Sequence, residues 1–144
     1  WLLLKSDPDK YLPVLVEEIL RLEGPVQGLF RETSTDLTLH GVDIPKGSIL
    51  NIRYASANLD EEIFDRPRSL DLDRSNARQH LAFGFGTHYC MGAPLARREI
   101  FFSFKVLIER FDDMWFIEGK NDFRHHPNFC LRALRELHIG FSPR

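Results

Sequence analysis

The chain has 144 residues, 43% of them hydrophobic and 12% aromatic, with 12 Phe and a formal net charge of −2. That length suits one compact core, and the composition is globular rather than disordered. The near-neutral charge gives no basic field for nucleic acid or an anionic membrane, and no apolar run reaches the length of a membrane-spanning helix. Two cysteines, Cys90 and Cys130, make no disulfide framework, so a reducing cytoplasm is the simpler setting.

Trp1-Leu2-Leu3-Leu4 stops at Lys5 and reads as the tail of a helix already under way, without the basic segment or cleavage site of a secretory signal. The chain therefore reads as a piece of something longer. Asp7-Pro8 is a helix start, a capping residue before a proline suited to the first turn. Leu12, Leu15, Val16 and Ile19 follow the stripe of an amphipathic helix, which Gly24-Pro25 ends. Short alternating runs come next, from Leu29 to Thr33, at Leu37 and Leu39, and from Ser48 to Tyr54 after the turn Ile44-Pro45-Lys46-Gly47. They predict a small antiparallel sheet. Residues 60 to 80 are charged and without period, a loop of a length that is uncommon unless it has a job. A helix is predicted from Ala93 to Phe111, apolar almost all round in its second half and so expected in the middle of a protein. The tail, Trp115 to Phe141, reads as short strands with a turn near His125-His126-Pro127.

Between the charged loop and that helix, Gly84, Gly86 and Gly92 surround Cys90. Glycines permit a tight loop, and the start of the following helix favours a thiolate. A buried inert cysteine is the common alternative. With no second Cys nearby, a Cys-rich zinc site or iron–sulfur cluster is excluded, and zinc held by His88, Cys90, His125 and His126 fits no common spacing. A lone thiolate beneath a flat apolar cofactor is the haem-thiolate arrangement.

Phe83-Gly84-x-Gly86-x-His88-x-Cys90-x-Gly92 resembles the cysteine-loop signature of the cytochromes P-450, with every fixed position filled. Ala93-Pro94-Leu95-Ala96-Arg97-Arg98-Glu99 continues as bacterial members do. Glu18-Ile19-Leu20-Arg21 is similar to the family's Glu-x-x-Arg helix, and Pro25 to Arg31 and Ala55-Ser56-Ala57-Asn58 also match in order and spacing. The resemblance covers essentially the whole chain. It implies a mainly α fold with small antiparallel β-sheets, the C-terminal haem-binding portion of the P-450 fold. One partial domain over residues 1–144 would comprise the Glu-x-x-Arg helix, small sheet, meander loop, cysteine loop, long proximal helix and C-terminal hairpin.

The resemblance further implies haem b with Cys90 as the axial ligand of iron. Arg31 and His88 would meet the haem propionates, while Phe83, Gly84, Gly92 and Ala96 flank the ring. Glu18 and Arg21, three apart on one helix face, would form a buried network with an Arg of the charged loop. The family's Pro-x-Arg-Phe pattern appears here as Pro67-Arg68-Ser69-Leu70, so Arg68 or Arg74 is expected to substitute. Val26, Gln27, Leu29, Phe30, Phe129 and Cys130 match substrate-facing regions. The implied activity inserts one oxygen atom from O2 into a small hydrophobic substrate, with electrons from a ferredoxin or flavoprotein. Arg97 and Arg98 would either dock an acidic donor or form a solvated face. The family's acid–alcohol pair lies upstream of the residues present, and Thr33, Thr35, Thr38 and Thr87 sit in contexts that do not replace it. The alternative expectation is thus a truncated, catalytically inactive haem-binding fragment.

Overall fold

Asp7 starts the main helix as its sequence suggests. In the computed structural model, which describes residues 1–144, its carboxylate accepts from Lys10 N at 3.1 Å and Pro8 lies in the first turn. A short helix α1 (Leu2–Ser6) precedes it, and α2 runs Pro8–Glu23. Its apolar stripe turns inward: Leu12, Leu15, Val16 and Leu20 are buried. Gly24 ends α2 for a packing reason. A Cβ there would sit 2.7 Å from Leu20 O and 3.2 Å from Ala82 Cβ, so glycine lets the start of the cysteine loop close on the helix end.

The expected single sheet is instead a set of two-stranded antiparallel ladders. β1 (Leu29–Glu32) pairs with β4 (Ile49–Ile52), placing Arg31 opposite Leu50, while β2 (Leu37–Leu39) and β3 (Val42–Ile44) form a hairpin between them. Thr33 closes the base of that hairpin, its buried hydroxyl donating to Pro45 O at 2.7 Å and accepting from Ser48 N at 2.9 Å. The strand expected to reach Tyr54 stops at Ile52, and Tyr54–Ala57 forms a single turn, α3. β-propensity at Tyr54 yields to the turn, whose end is fastened by Asn58 N on Tyr54 O at 2.9 Å.

Residues 59–80 are a succession of turns with one 3-10 turn at Ala77–Gln79. Side chains hold them in place of a regular ladder: Asn76 Nδ2 donates to Ile63 O at 2.7 Å, and Phe64 is 1% exposed at their centre. Helix α4 (Ala93–Arg110) packs on α2 and runs into β5 (Phe111–Phe116), which pairs with β6 (Ile139–Pro143). The core is Leu4, Leu12, Leu15 and Ile108, with Tyr11, Ile19, Leu72, Phe101 and Phe104 packed around it. The all-round apolar α4 is expected to be enclosed, yet only Ala93 and Ile108 are buried on it. α2 covers one face; Leu95, Phe102 and Val106 project from the others. No helix is long and apolar enough to cross a membrane.

Candidate functional site

The segment from His80 to Gly92 is shaped by its own backbone. Gly84 N donates to Leu81 O at 2.9 Å and Tyr89 N to Gly86 O at 3.0 Å. Gly84 and Gly86 have φ of 73° and 76°, a region that glycine enters without the steric cost a side chain brings. Cys90 N donates to Phe83 O at 3.0 Å, closing the loop directly at the cysteine. Ala93 N then donates to Cys90 O at 3.2 Å, and α4 begins. A Cβ on Gly92 would lie 3.7 Å from Cys90 Sγ. Cys90 is a free, exposed thiol, so a buried inert cysteine does not describe it.

Cys90 opens onto a cleft of about 380 Å³ with ten hydrophobic residues among its fourteen. Of the residues singled out from sequence, Val26, Leu29, Arg31, Phe83, Gly84, His88, Cys90 and Ala96 line it. Gln27 does not. Its Nε2 donates to Gly24 O at 2.7 Å and its backbone N to Cys130 O at 2.7 Å, so its side-chain amide is bonded to the end of α2. Cys130 and Phe129 are outside the lining as well. Phe129 stacks on Phe30 with ring centroids 5.6 Å apart. Tyr54 joins the cleft although nothing in its local sequence distinguishes it from a strand residue. No three His, Cys, Asp or Glu side chains gather to hold a metal ion, so His125 and His126 form no zinc site with His88 and Cys90.

Behind the cleft, Glu18 is fully buried and Arg21 nearly so. Arg21 Nε and Nη2 donate to the two Glu18 oxygens at 2.6 and 3.0 Å, and its remaining donors reach Asn58 O at 3.0 Å, Ser69 O at 3.2 Å and Pro67 O. The third member is Arg74. Its Nε lies 3.1 Å from Glu18 Oε1 as an ion pair without hydrogen-bond alignment, and Nη1 donates to Asp65 O at 2.7 Å. Arg68 is exposed and takes no part. Burial alone would raise the Glu18 carboxyl, but the bonds from Arg21 and Asp71 N, the Arg21 charge and the adjoining Arg74 guanidinium hold it below the usual carboxylate range. Phe64 lies beneath both guanidinium groups, 5.0 Å from Arg21 and 6.0 Å from Arg74. Arg97 is also committed internally, to Glu17 and to the Tyr89 hydroxyl, which leaves Arg98 as the exposed cation at the start of α4.

The cytochrome P-450 family model matches residues 10–131. The chain belongs to the cytochrome P-450 family. It is 39% identical over 139 residues to cytochrome P-450 CYP107DY1 of Priestia megaterium, covering 96% of this chain and 33% of that protein. It is 39% identical to the polyketide biosynthesis cytochrome P-450 PksS of Bacillus subtilis, covering 96% of this chain and 34% of the relative. The substrate-free structure of CYP150A6 from Mycobacterium marinum superposes with a TM-score of 0.92 at 34% identity, over 97% of this chain and 36% of the other. The chain thus spans about a third of the P-450 relatives it matches, and its fold is the C-terminal haem-binding portion of the P-450 fold. P-450 proteins bind haem b. The residues present fit that group: one exposed thiol, apolar walls, and a guanidinium and an imidazole, Arg31 and His88, in the same lining.

Proposed function

We propose that Cys90 is the proximal thiolate ligand of haem b in a monooxygenase that oxidises a small hydrophobic molecule. The observation that carries this reading is the convergence of the exposed Cys90 thiol, Arg31 and His88 on one apolar cleft. When bound, haem b supplies reductive activation of O2 and oxygen insertion into a C–H bond, aided by electron donation from the thiolate.

The residues of this chain do the holding. The loop closed by Cys90 N on Phe83 O fixes where the sulfur points, and Gly84 and Ala96 keep the walls low enough for a flat group to approach. Arg31, on β1, offers a planar pair of donors to one propionate, and His88 a ring nitrogen to another. Val26 and Leu29 give the cleft an apolar flank suited to a hydrophobic substrate. The Glu18–Arg21–Arg74 network takes the meander-loop role, fastening residues 58–74 behind the site. Electrons come from a ferredoxin or flavoprotein in the cytoplasm, with Arg98 available to an acidic donor.

A second reading has its own support. Phe85 is 86% exposed and Phe129 69%, so the apolar surroundings of the cleft are bare in this chain. The isolated chain is then a haem-binding fragment without turnover. Both readings are tested by reconstituting the chain with haem and recording the carbon monoxide difference spectrum of the ferrous form. The thiolate-type band is expected, and Cys90→Ala abolishes it. An unchanged spectrum in Cys90→Ala would overturn the ligand assignment, and robust substrate oxidation with an electron donor supplied would overturn the fragment reading.

A further inference from the structure

Glu17 and Glu18 are neighbours on α2, and both are buried, but they serve different parts of the molecule. Glu18 faces the charged loop. Glu17 faces the cysteine loop and α4. Its Oε2 lies 3.1 Å from His80 Nε2, and Arg97 spans both its oxygens, with Nε 2.9 Å from Oε1 and Nη2 3.0 Å from Oε2. Arg78, largely exposed, adds its Nε at 3.4 Å from Oε1. One buried carboxylate therefore answers two guanidinium groups and an imidazole.

Each partner passes the connection on. The other ring nitrogen of His80, Nδ1, accepts from Ala82 N at 3.1 Å, at the entrance of the loop. Arg97 Nη1 donates to Tyr89 Oη at 3.0 Å, one residue before the cysteine. The Arg97 guanidinium also lies 4.7 Å above the Phe83 ring, which tilts against His80 and meets Tyr89 edge-on. Phe83 is the residue whose carbonyl receives Cys90 N. Both ends of the loop are thus tied through His80 and Arg97 to one carboxylate, and the Phe83 ring packs against His80, Tyr89 and Arg97.

We infer that Glu17, acting through His80 and Arg97, is a positioning residue for Cys90, a second lock on the cysteine loop beside the Glu18–Arg21–Arg74 network, which reaches the loop only at Leu81, whose N donates to Asn58 Oδ1 at 2.6 Å. Its consequence at the haem rests on the proposed ligand role of Cys90; the lock itself does not. Charge-assisted, two-pronged bonds to a buried carboxylate have the strength to hold a loop that has no ladder of its own. The arrangement is also selective. The polar partners of Glu17 are His80, Arg97 and Arg78, none of them in the β1–β4 ladder, so its loss should loosen the loop without unpairing the strands.

Amide hydrogen exchange in the haem-free chain tests it. Glu17→Gln keeps the side-chain shape and removes the charge; Tyr89→Phe removes only the hydroxyl that Arg97 reaches, and so serves if Glu17→Gln does not fold. Exchange at the Ala82, Gly84 and Cys90 amides should quicken about tenfold or more in Glu17→Gln, the effect of losing one charge-assisted bond. The β1–β4 ladder should keep its rates. In Tyr89→Phe the faster exchange should be confined to Tyr89 and Cys90, and Arg97→Lys should fall between. Unchanged loop exchange, or equal acceleration through loop and ladder, would overturn the lock. With haem added, Glu17→Gln should retain bound haem but lose part of the thiolate-type spectrum. If the unsubstituted chain never shows that spectrum, the ligand reading fails, and the exchange rates still decide the lock.

Discussion

Replacing Arg74 with Ala removes a guanidinium that is almost fully buried and, besides long bonds from Nη2 to Arg66 O and Ser69 O at 3.4 Å, serves three groups. It is ion-paired to Glu18, it donates to Asp65 O at 2.7 Å, and it lies over Phe64. Breaking a buried pair by deleting one partner costs about 3–5 kcal/mol. Here Glu18 keeps both bonds from Arg21 and one from Asp71 N, so the electrostatic loss falls towards the bottom of that range. The Asp65 carbonyl loses its partner at a further cost of about 1 kcal/mol or more. A total near 4 kcal/mol follows, a large share of the 5–15 kcal/mol typical of a domain. Arg68→Ala, at an exposed site, should change stability by no more than about 0.5 kcal/mol. Urea unfolding of both variants, followed by circular dichroism, measures the difference. Equal shifts in the two, or a loss below about 1 kcal/mol in Arg74→Ala, would refute the assignment of Arg74 as the third member of the network.

Acid should act on Glu17 in a defined window. Burial pushes its carboxyl up, but the bonds and charges of His80 and Arg97 outweigh this and hold it at about 2, against an ordinary 4.5. A lowered folded-state value gives stability that is complete above the ordinary value and disappears as pH falls through 4.5 towards 2. That stability is on the order of 3 kcal/mol. Unfolding free energies of the chain and of Glu17→Gln, measured down that range, should converge; parallel curves would sink the argument. Gly28→Ala should destabilise the β1–β4 ladder by about 1–3 kcal/mol, because the new Cβ would meet Ile52 O at 2.5 Å and backbone cannot turn aside. A thermal melt unmoved by this substitution would mean the strands have room to separate.

The long helices and the cysteine loop were legible because each carries a local signal: a stripe of leucines, a capping Asp-Pro, glycines flanking a cysteine. Their bounds in the structure depart from those expected by a residue or two. Arg74 was readable only as one of two candidates, since nothing local separates it from Arg68. What separates them is the fold, which brings Arg74 Nε to 3.1 Å from Glu18 Oε1 and leaves Arg68 exposed. Glu17 and His80 carry no local signal, being one of two adjacent glutamates and a single loop histidine. Their meaning is a contact across 63 positions, which periodicity does not see. The bond of Gln27 to the end of α2 was equally out of reach of a local reading, because a helix end with carbonyls to satisfy takes whichever donor the fold brings beside it.

Two adjacent carboxylates on α2 collect partners far down the chain: Asp71, 53 positions from Glu18, and His80 and Arg97, 63 and 80 positions from Glu17. Contacts so distant in sequence carry a loop-closure entropy that must be met before they return any stability, and they slow folding. The cysteine loop has local backbone bonds of its own, but both its ends are held by such distant contacts. Its order is therefore a late product of folding, set only once the chain has travelled out through the meander and returned with α4 against α2.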